Sequence, residues 1–171
     1  MSLSQRVASR YLRARSSLPK NYTLTHFFMS YSGFKEIEVR MEDRGVRVGE
    51  ATAILEKFTV ESISKFKCGE EMIALINRIP KLIDSDGKVR VVEVEWSDVE
   101  KDYRSQGIGL LMYEKLISES LSEYKNMPFL FIPNYCHNRS TSASALRVWK
   151  SLARKYDNEG DVLAIRDGSK R

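Results

Sequence analysis

The sequence predicts a mixed α/β (α+β) domain, and three observations carry that expectation. Residues 22–55 hold extended, partly alternating runs around short turns, as hairpins do. Residues 89–165 run strand, glycine-bearing loop, helix, strand, helix, strand, with no internal repeat. A length of 171 residues and 42% hydrophobic content suffice for one buried core.

Each element has its own signal. Tyr22–Tyr31 reads as a strand. Phe34–Glu42 alternates through Ile37, Val39 and Met41, and Asp43-Arg44-Gly45 turns the chain into an extended run, Val46–Leu55. A helix over Glu70–Ile79 has the apolar stripe Met72, Ile73, Leu75, Ile76 and Ile79, and Pro80 stops it. Asp84-Ser85-Asp86-Gly87 has its glycine too early for a calcium loop and reads as a turn. Val89–Trp96 is the strongest strand. Leu110–Tyr124 is a helix striped by Leu110, Tyr113, Ile117, Leu121 and Tyr124. Phe129–Ile132 is a short apolar strand between two prolines. A helix near Ala143–Tyr156 is expected to bury Leu146, Trp149, Leu152, Ala153 and Tyr156, and Val162–Ile165 closes the chain as a strand.

Charge is unevenly placed. Residues 1–20 carry Arg6, Arg10, Arg13, Arg15 and Lys20 with no acid, which leaves 23 basic residues to balance 23 acidic ones. The division expected is a basic N-terminal arm or helix over 1–20 and a single domain over 21–171. Leu3, Val7, Tyr11 and Leu12 give the arm a short amphipathic helix. That helix either docks on the domain or meets an acidic partner, a nucleic acid or a membrane surface. No run approaches the roughly 18 apolar residues of a membrane span, and the N-terminus has no signal-peptide core. Cys68 and Cys136 show no disulfide or metal spacing, so buried thiols in a cytoplasmic protein are expected. His26 and His137 suggest no metal site or triad.

Residues 99–109, Val-Glu-Lys-Asp-Tyr-Arg-Ser-Gln-Gly-Ile-Gly, sit between the strongest strand and a helix. Such a junction aims backbone N–H groups and a helix N-terminus at an anion. Gly107 and Gly109 admit close approach, and Arg104 adds a fixed positive charge. A Walker loop is excluded because no lysine follows the glycines. A dinucleotide fingerprint lacks its third glycine, since Leu110, Leu111 and Met112 follow.

Arg104-Ser105-Gln106-Gly107-Ile108-Gly109 resembles the Arg/Gln-x-x-Gly-x-Gly/Ala pyrophosphate loop of the GNAT superfamily of N-acetyltransferases. Val99, an acid, Tyr103 and Arg104 keep the phasing of the family's upstream segment, and Ala145, Leu146 and Val148 match apolar positions of its last helix. The resemblance implies a GNAT-like mixed, mostly antiparallel central sheet flanked by helices. It implies acetyl-CoA as acyl donor, with no metal, and transfer to the amine of a small molecule or peptide. Val99 would pair through its main chain with the pantetheine arm. Arg104, Ser105, Gln106, Gly107, Ile108, Gly109 and Leu110 would hold the pyrophosphate. A glutamate on the preceding strand would be the general base. Glu93 and Glu95 share a face with Val91 and Ser97, and Glu95, nearer the loop, is favoured, whereas Val92, Val94 and Trp96 are expected to pack on a helix. A bulge would alter that assignment. The family's proton-donating tyrosine is replaced by Trp149, and its asparagine by Ser142. Tyr103, Tyr135 or water are the substitutes. The competing reading is a non-catalytic member of the same fold that binds CoA, or a partner through its basic arm.

Overall fold

In the computed structural model, which describes residues 3–16, 18–134, 143–156 and 163–164, a six-stranded sheet runs in the order β1-β2-β3-β4-β5-β6. The arm forms α1 (Leu3–Ser16). β1 (Tyr22–Tyr31), β2 (Phe34–Asp43), β3 (Val46–Thr59) and β4 (Lys88–Val99) make an antiparallel meander, and β5 (Leu130–Pro133) and β6 (Leu163–Ala164) join in parallel. α2 (Val60–Ser64) and α3 (Gly69–Arg78) connect β3 to β4. α4 (Ile108–Glu123) links β4 to β5, and α5 (Ala143–Tyr156) links β5 to β6. Every strand and helix expected from the sequence is present. The short α2 is additional, nucleated where Thr59 Oγ1 accepts from the Ser62 amide at 3.1 Å.

The meander is set by tight turns. Asp43 pairs with Val46 across Arg44 and Gly45, whose φ values of 50° and 80° suit the right-handed twist of a hairpin. Alternation then sends Ile37, Val39, Met41, Ala51, Ala53, Val92 and Val94 to one face, against Leu111, Met112, Leu116 and Ile117 of α4. On the other face, Val89, Val91, Leu130 and Ile132 meet Ile63, Met72 and Ile76 of α2 and α3. β4 and β5 are thus covered on both sides, which is why Val89–Val94 and Leu130–Pro133 are buried without alternation. β1 keeps Phe27, Met29 and Tyr31 exposed.

α1 lies against α4. Tyr11 and Leu18 pack on the main core, and the Lys115 ammonium stands 5.1 Å from the centroid of the Tyr11 ring. Leu12, 62% exposed, falls outside the docked stripe. Among the described residues no helix is long and apolar enough to cross a membrane.

One expectation is corrected. Cys68, buried at the start of α3, is not a thiol but disulfide-bonded. Cys136, the only other cysteine of the chain, lies outside the described residues. Bridging depends on spatial proximity, which sequence spacing does not reveal. The cysteines therefore give no support to a reduced compartment.

Asp84–Gly87 is a turn, as read from the sequence. Asp84 Oδ1 accepts from the amides of Asp86 and Lys88, each at 2.9 Å, and Oδ2 from Lys57 Nζ at 2.8 Å. The Lys57 bond first, and the Lys88 amide next, hold the Asp84 carboxyl down to about 2, from an ordinary 3.8. A depressed carboxyl stabilises the fold above its unfolded value, and that contribution drains as pH falls through its folded one. Asp84→Asn is expected to lower the melting temperature at pH 6, with the gap to wild type closing between about pH 4 and pH 2. Melting curves across that range check it.

Candidate active site

The site begins with an irregularity in β4. Thr52 pairs with Trp96 but Ala53 pairs with Val94, so Glu95 is one residue more than β3 can match, a β-bulge. In a regular strand Trp96 and Asp98 would follow Val92 and Val94 onto the α4 face. The extra residue exchanges the faces. Ser97 and Val99 now point towards α4, with Ser97 Oγ 2.9 Å from Tyr113 Oη and Val99 against the main core. Trp96 is turned out, 52% exposed. The expected packing of Trp96 on a helix, and the expected grouping of Glu95 with Ser97, are both overturned by this bulge.

Among the described residues, the same stretch of β4 has no strand beside it past the end of β5. β5 pairs no further than Pro133, opposite Val94. There Asn134 Nδ2 donates to the Glu95 carbonyl at 3.1 Å. On the other side the Glu100 amide bonds Val48 O at 2.8 Å. The N–H and C=O of Val99 therefore point the opposite way, off the sheet edge. Arg104 Nε donates to that carbonyl at 2.8 Å, and Arg104 also pairs with Asp98 at 3.4 Å.

A 3-10 turn over Lys101–Tyr103 leads into the glycine loop. The Tyr103 hydroxyl donates to Asp43 Oδ2 at 2.9 Å, a bond that raises its pKa. Ser105 and Gly107 have φ values of 66° and 81°, and Gly107 caps α4. A Cβ on Gly107 would meet nothing within 4 Å, so it is the left-handed backbone, not crowding, that calls for glycine there. Gly109 is the reverse case: its Cβ would stand 2.9 Å from Val148 Cγ2 of α5. The first intrahelical bond of α4 runs from Leu111 N to Gly107 O, and no side chain caps the helix. The amides of Ile108, Gly109 and Leu110 precede that bond and have no carbonyl within the helix to receive them.

These parts enclose a cleft of about 280 Å³ between the end of β4, the loop, α4 and α5. Val99, Arg104, Ser105, Gly107, Gly109 and Leu110 line it, as do Ser97, Asp98 and, from α5, Ala145, Arg147, Val148 and Ser151. The side chains of Gln106 and Ile108 lie elsewhere. Gln106 Oε1 accepts from the Tyr22 hydroxyl at 3.1 Å, and Ile108 is buried in the core. Glu95 is not a lining residue either. It is half-buried at the bulge, close enough to Glu36 to act on its charge. Burial first, then Glu95 and Glu38, raise the Glu36 carboxyl above its ordinary range. Glu38 is bonded to Arg40, and Glu93 is buried.

Trp149 is a packing residue, 2% exposed between Tyr113 and Phe131, with ring centroids 5.3 and 5.1 Å away. His26 pairs with Glu119 at 3.2 Å. Tyr135, His137 and Ser142 lie outside the described residues, among which no group of His, Cys, Asp or Glu is placed to hold a metal ion. Sequence reasoning missed Ser97 because the bulge hides its face. Arg147 and Ser151 carried a readable signal, an i, i+4 pair on the helix face away from Trp149 and Leu152.

A scan against models of known protein families and a search of the curated proteins both found no match.

The contact at Gly109 gives a direct test of how α4 and α5 close the cleft. Gly109→Ala is expected to destabilise the fold by about 1–3 kcal/mol by overpacking. Adding Val148→Ala, which removes the facing methyls, should return most of that loss. Urea unfolding of the two single variants and the double variant measures the coupling.

Proposed function

We propose that this protein is an acetyl-CoA-dependent N-acetyltransferase of the GNAT type that residues 99–109 resemble, acting on an amine. One observation carries the reading: an unpaired strand edge and an uncapped helix N-terminus open into the same cleft across a glycine loop. An elongated ligand with an anionic end and an amide-bearing arm matches that pairing.

The fit is local and chemical. The amides of residues 108–110 and the left-handed turns at Ser105 and Gly107 form a concavity for a pyrophosphate, helped by the positive end of the α4 dipole. Arg104 would exchange Asp98 for a phosphate oxygen, and Arg147 faces the same space from α5. The free edge of β4 at Val99 would take the pantetheine amides as an added strand takes its partner. Acetyl-CoA supplies the activated thioester. Most of the acceleration then comes from holding amine and thioester in line.

The amine must be neutral to attack, and we assign its deprotonation to Glu95. It sits at the bulge, where β4 leaves β5, so its side chain can work beside the end of the cleft while Val99 holds the arm. An acceptor would reach Glu95 beside Glu36 and Glu38. The carboxylates gathered there draw a protonated amine in before it is deprotonated.

Titration calorimetry with acetyl-CoA tests the reading. Wild type should bind, and Gly107→Trp, which fills the concavity, should lower affinity by at least about tenfold. Absence of binding by wild type, or binding indifferent to Gly107→Trp, overturns it. Glu95→Gln should leave that affinity unchanged and cut turnover with a panel of amines by about 10²–10⁴-fold.

A further inference from the structure

The helix position where the GNAT resemblance places an acidic tyrosine holds Trp149, yet the cleft is not without a directed hydroxyl. Tyr113, buried on α4, stands between Trp149 and Ser97. Trp149 meets its ring edge-on, with centroids 5.3 Å apart, while Ser97 Oγ lies 2.9 Å from Tyr113 Oη. The phenol has one hydrogen, and a buried donor needs an acceptor; Ser97 Oγ is the one in reach among the described residues. The direction of that bond follows: Tyr113 to Ser97. Ser97 is left with its own hydrogen unspent, on a side chain that lines the cleft. Ser97 stands two residues inward from Val99, on the way to the bulge at Glu95, and so at the reacting end rather than the phosphate end.

We propose that the Ser97 hydroxyl is the hydrogen-bond donor to the departing sulfur, with Tyr113 as the positioning residue that fixes its direction. The inference rests on the acetyl-CoA reading above. The hydroxyl stabilises negative charge on sulfur as the carbon–sulfur bond breaks and gives up no proton of its own. The thiolate is then protonated from water. Burial of Tyr113 raises its phenol, so the chain of donors keeps its direction through neutral and mildly alkaline pH.

The decisive experiment titrates the thiol of CoA bound to the intact protein, read by thiolate absorbance in the ultraviolet. In wild type the bound thiol should ionise at lower pH than in Ser97→Ala, by roughly one pH unit. Ser97→Thr should restore the wild-type value, and Tyr113→Phe should fall between. Consumption of acetyl-CoA with the amine panel should drop about 10²-fold in Ser97→Ala. Ser97 is half-buried, so its alanine variant is a mild change to the fold, and calorimetry at a pH where the bound thiol is protonated should still detect CoA binding. If CoA binds both proteins and its thiol ionises alike in each, the proposal is wrong while the cofactor reading stands. If wild type does not bind CoA at all, the cofactor reading fails and this inference falls with it.

Discussion

One extra residue in β4 governs the rest of the site. A β-strand assigns side chains to faces by parity, and parity survives only while register is kept. The insertion of Glu95 against β3 breaks that register between Val94 and Trp96. Upstream, valines feed the core under α4. Downstream, Ser97 and Val99 take over the α4 side and Trp96 is expelled to solvent. A regular strand would have buried an indole under α4 and left the two short residues outside, with no room for a cleft. The bulge also falls just where the pairing of β4 with β5 ends at Pro133.

That parting has a cost which other elements offset. A strand edge off the sheet presents unsatisfied main-chain groups. Here Asn134 caps the Glu95 carbonyl and Arg104 takes that of Val99. Both caps are side chains, which can be exchanged for a ligand at little cost to the backbone. Arg104 is itself held by Asp98, an exposed and therefore weak partner. The floor beneath does not move so easily. β4 and β5 are buried on both faces, and α4 meets α5 closely enough that even a methyl at Gly109 would collide. A rigid scaffold with displaceable side-chain caps is what a cleft for a long, flexible ligand requires.

Much of this was legible in the sequence. Strand and helix identities followed from periodicity, and the glycine loop was recognisable because Gly107 needs a conformation that few other residues adopt. Gly109 was read as a second place for a phosphate, but the packing of Val148 is sufficient reason for it. The misreadings share a cause. Periodicity assumes an unbroken register, and nothing in Val-Glu-Trp-Ser announces that Glu95 is unmatched, because a bulge is decided by what the neighbouring strand can pair. The Cys68 bridge is likewise a fact of tertiary proximity. The bond from Tyr103 to Asp43, sixty residues away in the chain, is another such contact.

The tryptophan at position 149 is best understood from the direction of hydrogen bonds. A phenol both donates and accepts, so a tyrosine lining a cleft can serve a leaving group itself. An indole only donates, and Trp149 is buried away from the cleft, where it packs edge-on against Tyr113. Tyr113 is suited to the relay because it is enclosed, with Ser97 Oγ the partner for its hydrogen. A relay of fixed direction keeps its polarity without any group ionising, which suits a buried site where charge is costly. The bulge is again the condition for it. Only because Glu95 shifts the parity does Ser97, rather than Trp96, stand where the last hydrogen of the chain is needed.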